Sequence, residues 1–290
     1  MIEMAAEGQP GHYLRGVAGD SFNTAVYLAR AGLHVDYLTR LGDDGASQDI
    51  VQQMAAEDIG TDLIQRCPDR QPGLYLIDND ASGERYFSYW RDHSPAREMF
   101  DQPVELSPLP DFFYFTGITL GISRSGIDHL TAGLKAWREA GCTVIFDPNY
   151  RAQLWRDTEQ AQGYYRQVLP FCDIVLPTLE DETALWEIDT VEECRAMYRQ
   201  YPVRELVIKG EKLISHVFCG KEQFHKQAQA VTPLDTTGAG DAFNAGYLSV
   251  RLRDGSVEDA LTAAQSLSAT VVQHQGAILP RPQTKHTGSH

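Results

Sequence analysis

Four adjacent residues carry chemistry: Gly238, Ala239, Gly240 and Asp241, inside the stretch DTTGAGDAFNAGYL at Asp235 to Leu248. A glycine turn lets backbone N–H groups approach a ligand, and a helix start adds partial positive charge, so the turn is suited to an anion. Asp241 can be read as a helix cap or as a base for whatever reacts with that anion. The second reading describes phosphoryl transfer to an alcohol: amides hold the migrating group and Asp241 accepts the hydroxyl proton. A helix start favours an ionised Asp241, ready to accept a proton but intrinsically a weak base. Two familiar nucleotide motifs fail. G-x-G-x-x-G requires glycine where Phe243 stands, and no G-x-x-x-x-G-K-[ST] occurs.

The turn needs a rigid support. Phe243, Tyr247 and Val250, at i, i+4 and i+7, give the following helix an apolar stripe, while Ala242, Ala245 and Gly246 allow close packing. Upstream, DFFYFTGI, CTVIFD, DIVLPT and ELVIKG read as buried strands, and SGIDHLTAGLKAWREAG, TEQAQGYYRQVLPF and TVEECRAMYRQ between them have helical spacing. This alternation predicts an α/β fold, a mostly parallel sheet flanked by helices, with ligands beyond the carboxyl ends of the strands. The polar tails DPNYR and TLEDE fall there. Nearer the amino terminus, SFNTAVYLARAG and GASQDIVQQMAAEDIG read as helices around a strand, HVDYLTRLG. The stretch PGLYLIDNDASGERYFSYWR, within residues 72–92, reads as a hairpin and is taken as a small β lid. Its Tyr89 and Trp90 face opposite sides of a strand, so one of them could simply be core. Residues 1–290 are expected to form a single domain with a loose tail at 281–290.

A formal net charge of -15 argues against nucleic acid or an anionic membrane as partner. No apolar run approaches the roughly 20 residues of a membrane span. The five cysteines are widely spaced with no C-x-x-C, which suggests neither a disulfide framework nor a zinc site. The start, MIEMAAEGQPGHY, lacks the features of a secretory signal, so a cytoplasmic location is expected.

DTTGAGDAFNAGYL matches the carboxyl-terminal signature of the PfkB (ribokinase-like) carbohydrate kinases. The resemblance implies an α/β domain with a β lid, MgATP as donor, Asp241 as base and Gly238, Ala239 and Gly240 as the anion hole. AGDSFNTAVYLAR, PGLYLID, GERYFSYWR, DPNYRAQLW, TLEDETALW and QGAILPR resemble the 2-keto-3-deoxygluconate kinases over nearly the whole chain. That likeness implies phosphorylation of the 6-hydroxyl of this sugar acid, in a pathway of the Entner-Doudoroff or hexuronate type. Carried over by residue, it implies sugar contacts from Gly19, Asp20, Asn23, Tyr75, Tyr89, Arg91 and Arg151. It implies ATP contacts from Asn149, Lys209, Gly210, Gly238, Gly240, Gln265 and His274. A planar guanidinium fits a carboxylate bidentately, which independently favours an acidic substrate.

Plainer readings stand beside these. Arg91 could be a solvated lid residue, Arg151 could pair with Asp147 or Asp181, Lys209 could lie at the surface, and Gln265 or His274 could face solvent. For the whole protein the alternatives are a kinase of a neutral sugar, fructokinase-like or acting on a ribonucleoside, and a non-catalytic sugar-acid sensor. The chain departs from the family pattern in three places. TLED replaces N-x-x-E, leaving Thr178 and Asp181, the latter a candidate for Mg²⁺ through water. Ala18 replaces the first of a glycine pair, and the family's opening apolar strand has no counterpart ahead of MIEM. Loss of such a strand is expected to lower stability. The resemblance also implies a homo-oligomer, at least a dimer, and raises a monovalent cation beside the Asp235 loop.

Overall fold

A computed structural model of the protein describes residues 1–9, 11–79 and 85–281. Strands β1 (Ile2–Ala6) and β2 (Tyr13–Val17) lead into α1 (Asp20–Arg30). Short strands β3 (Val35–Asp36) and β4 (Thr39–Leu41) precede α2 (Gly45–Ala56), and β5 (Ile59–Gly60) and β6 (Ile64–Arg66) follow it. Next come β7 (Leu74–Asn79) and β8 (Arg85–Trp90), then β9 (Phe112–Thr116), α3 (Gly117–Ile122), α4 (Ile127–Glu139) and β10 (Thr143–Asp147). The chain continues through α5 (Thr158–Val168), β11 (Ile174–Val175), α6 (Leu179–Trp186), α7 (Val191–Tyr198) and β12 (Glu205–Lys209). It ends with β13 (Ile214–Cys219), β14 (Glu222–Gln227), α8 (Ala239–Arg251) and α9 (Val257–Val271).

The main sheet has the order β14-β13-β12-β11-β10-β9. Pairing from β9 to β12 is parallel, and β13 and β14 add antiparallel strands. Side chains alternate across a strand, so each buried strand serves two cores. Val144 and Phe146 of β10 pack with Leu130, Leu134 and Trp137 of α4. Ile145 packs on the other face with Tyr247 and Leu248 of α8 and Leu261 of α9. A side chain at Gly246 would lie 2.7 Å from the Ala264 Cα, so glycine permits the close approach of α8 and α9. Side-chain caps start other helices: Asp44 accepts from the Ala46 and Ser47 amides, and Thr190 and Glu193 form a reciprocal capping box.

A second sheet, ordered β2-β1-β7-β8, forms the lid. The hairpin expected within 72–92 is present as β7 and β8, in register from Leu74 opposite Trp90. Its turn at 80–84 lies outside the described residues, as does the tail at 282–290. The lid gains two strands that the sequence reading did not place, because β1 pairs parallel with β7 and antiparallel with β2. HVDYLTRLG divides into β3 and β4, which pair separately with β5 and β6. Of Tyr89 and Trp90, neither is a core residue: they are 41% and 59% exposed. Strand β8 is an edge of the lid sheet.

Candidate active site

The carboxyl ends of β9, β10 and β12 converge with the starts of α1 and α8. Thr116, Asp147 and Lys209 end their strands, while Asp20 and Asp241 lie in the first turns of their helices. This is the face of a parallel sheet where ligands bind. Gly238 caps α8 with φ of 74°, a left-handed conformation that glycine adopts without strain. A Cβ there would lie 2.5 Å from that of Ala277. A Cβ on Gly240 would meet nothing within 4 Å, so the space over the turn is open. The Ala239 amide donates to Thr236 O, whereas the Gly240 and Asp241 amides have no protein acceptor among the described residues. Asp235 fixes the approach to the turn: its carboxylate accepts from the amides of Thr237, at 2.9 Å, and Gly276, at 2.7 Å.

Asp241 is buried, and its Oδ2 accepts from Asn23 Nδ2 at 2.8 Å. Burial and then the neighbouring Asp20 push its pKa well above the ordinary carboxylate range. The Asn23 bond and Lys209 pull it down, and Asp147 pushes it up. The helix start was expected to keep Asp241 ionised and weakly basic. Loss of water and repulsion between acids outweigh that partial charge. Asn23 Oδ1 is buried without a partner among the described residues and is available to accept a bond.

Asp147, Lys209 and Asn244 form a buried network that joins β10, β12 and α8. Asn244 donates to Asp147 at 2.8 Å, and Lys209 Nζ lies 3.0 Å from Asn244 Oδ1 and 3.5 Å from Asp147 Oδ1. The Lys209 side chain is 13% exposed, so it is no surface residue. Sequence reasoning did not single out Asp147 or Asn244 as site residues. The signals were present: Asn244 lies one helical turn after Asp241, and Asp147 ends a strand.

Gly19 stands at φ 155° and ψ 144°, a region open essentially to glycine alone, and turns the chain into α1. Asn149, expected to contact the nucleotide, donates to Asp20 Oδ2 at 3.1 Å. The Gly210 amide bonds Ile214 O at 2.9 Å. Gln265 is buried and donates to Lys226 O at 2.8 Å, tying α9 to β14 rather than facing an adenine. His274 bonds Thr270 O at 2.9 Å at the end of α9. Gln265 is thus held within the fold, and the His274 side chain is exposed.

On the lid, Tyr75 is buried, bonds Glu3, and lies 5.8 Å from the Tyr89 ring. The Arg91 guanidinium sits over Tyr89 at 4.2 Å. Arg151 pairs with Asp181 at 3.1 Å and its side chain is 51% exposed, so the two residues assigned to substrate and Mg²⁺ are engaged with each other. Burial raises the Asp181 pKa, against the opposing pull of Arg151.

A buried acid at a glycine turn on the ligand-binding face of an α/β sheet, closed by a β lid, defines the class. The profile of the pfkB family carbohydrate kinases matches residues 4–284, and the chain belongs to this family. It is 40% identical to the 2-dehydro-3-deoxygluconokinase of Escherichia coli K12, over 97% of this chain and 95% of that protein. It is 27% identical to a fructokinase of Klebsiella pneumoniae, over 97% of this chain and 94% of that one. Among solved structures, a PfkB protein from Polaromonas sp. JS666 superposes with a TM-score of 0.85 at 26% identity, covering 94% of this chain and 93% of its own. The ribokinase-like fold expected from the sequence is therefore present.

Proposed function

We propose that the protein is an ATP-dependent 2-keto-3-deoxygluconate kinase, forming 2-keto-3-deoxy-6-phosphogluconate. The 40% identity to a 2-dehydro-3-deoxygluconokinase, another name for such an enzyme, carries the choice of substrate. Asp241 is the base. Its raised pKa brings it nearer the working pH, which strengthens its pull on the 6-hydroxyl proton. Asn23 holds the carboxylate in place, and its free Oδ1 and the Asp20 carboxylate orient sugar hydroxyls. The amides of the turn from Gly238 to Asp241 cradle the phosphoryl group as negative charge develops. Lys209, held by Asp147 and Asn244, adds positive charge beside the base.

Bound MgATP supplies the phosphoryl group. Among the described residues no three His, Cys, Asp or Glu are grouped to hold a metal ion alone. That suits an ion carried by the nucleotide with much of its water retained, with Asp181 as a ligand through water. A monovalent cation beside the Asp235 loop belongs to the same proposal and is tested by turnover in potassium against choline chloride. No described helix is long and apolar enough to cross a membrane. The proposal includes a cytoplasmic site of action, where ATP is available.

The test is turnover of 2-keto-3-deoxygluconate beside fructose and a ribonucleoside, in one coupled assay of ADP release. Preference for a neutral substrate would sink the assignment. Asp241→Asn should abolish turnover yet still bind the sugar acid by calorimetry. Turnover near the parent rate would remove Asp241 as base, whereas a non-catalytic sensor would show no turnover in the parent.

A further inference from the structure

Three arginines from separate parts of the chain meet in one cavity at the base of the lid. It measures about 240 Å³ and is lined by Tyr89, Arg91, Asp92, Arg97, Arg124, Gln153 and Leu154. Arg91 follows β8, Arg97 lies in a short helical turn at Pro95–Glu98, and Arg124 lies just beyond α3. Among the described residues none of the three has a carboxylate at ion-pair distance, in a chain with 40 acidic and 25 basic residues. Arg91 is engaged by the Tyr89 ring, and Arg124 donates to the Leu154 carbonyl, so both are held in place. Desolvation and the nearby Arg97 lower the Arg91 pKa, while Asp92 and Asp20 raise it. Gln153 and Leu154 belong to the chain that leaves β10 after Asp147, so the cavity borders a loop at the carboxyl end of that strand.

Converging guanidinium groups repel one another and lose hydration, and an anion between them relieves both costs. Arg151, the other arginine assigned to the substrate, is already neutralised by Asp181 and largely solvated. We infer that the substrate's carboxylate enters this cavity, and that Arg97 and Arg124 join Arg91 as the residues that select an acid over a neutral sugar. The inference rests on the proposed sugar-acid kinase activity and extends it to two residues outside the quoted motifs. Bidentate geometry suits both: a carboxylate has two oxygens, and each guanidinium presents paired donors. With the acid group held at the lid arginines, the hydroxyl at the far end of the sugar is the one left to meet Asp241 on this proposal.

The experiment compares 2-keto-3-deoxygluconate with 3-deoxyfructose, the same chain with hydroxymethyl in place of carboxylate. The kcat/KM of each is measured for the parent, Arg97→Gln and Arg124→Gln. Each variant is expected to lose about tenfold or more on the acid, since it removes one partner of a partly desolvated charge contact, and to stay within about twofold of the parent on the neutral analogue. Retained turnover of 3-deoxyfructose also shows that the variant is folded. Arg124→Gln loses the bond to Leu154 as well, so Arg124→Lys, which keeps the charge, is expected to recover part of the acid activity. Equal losses on both substrates, or no loss on either, would overturn the assignment of these residues while leaving the kinase reading intact. A parent that ignores 2-keto-3-deoxygluconate and turns over the neutral analogue would overturn both.

Discussion

Single residues set the pH behaviour. A base must be unprotonated, and burial with repulsion from Asp20 raises the pKa of Asp241, so kcat/KM should fall as pH drops through a limb near neutrality rather than near 4. Asp20→Asn removes the largest repelling charge and should move that limb to lower pH, whatever it costs in rate. A profile flat from pH 5 to 9 in the parent would contradict this. Glu182 behaves differently because it lies outside the chemistry. It is fully buried, bonds Tyr198 at 3.1 Å, has an unpaired Oε2, and burial pushes its pKa up to about 8. Between its unfolded value and about 8 the folded state therefore holds an extra proton, so this group's contribution to stability declines as pH rises through that window. Glu182→Gln keeps a polar partner for Tyr198 without the charge, and should raise stability at pH 9 by about 2 kcal/mol. Urea midpoints at pH 6 and pH 9 measure it, and an equal effect at both would refute the charge argument.

At the scale of elements, the glycine turn owes its shape to two different constraints. Gly238 is needed by the protein itself, since its φ is positive and Ala277 leaves no room for a side chain. Gly240 is not, because a Cβ there meets nothing. Gly238→Ala should therefore cost roughly 1 to 3 kcal/mol in stability and also reduce kcat, whereas Gly240→Ala should melt like the parent and lose activity because its methyl group occupies phosphoryl space. Thermal melts and kcat separate the two, and parent-like activity of Gly240→Ala would move the anion hole elsewhere. The strand-helix alternation and this turn were legible because each is a local pattern. Strands β1, β2, β13 and β14 were not, since their sequences mix polar and apolar residues and their pairing depends on distant partners. The union of Asp147, Lys209 and Asn244 was hidden for the same reason: it needs the register of two strands and a helix at once. Gln265 shows the converse, a side chain with plausible ligand chemistry that backbone bonding consumes.

For the whole molecule, the lid raises the question of assembly. Leu14, Phe87 and Tyr89 lie on one face of its sheet, at 60%, 44% and 41% exposure. Apolar exposure on an edge-bearing sheet favours pairing with a second copy, and a dimer through the lids is the assembly proposed for this chain. Sedimentation should give a dimer for the parent and a monomer for the Leu14→Ser, Phe87→Ser double variant. A parent that sediments as a monomer at micromolar concentration would exclude it.

The tie between Asp235 and Gly276 has a consequence in time rather than in space. Tyr27 extends it by donating to Ala277 O and accepting from Leu279 N, so the back wall of the glycine turn is made by residues that follow α9. During synthesis the lid, the sheet and even Asp241 emerge before that wall does. Until the ribosome has released the stretch through Leu279, the turn lacks the contacts that shape it. A partly made chain can thus bury most of its core and still be unable to spend ATP.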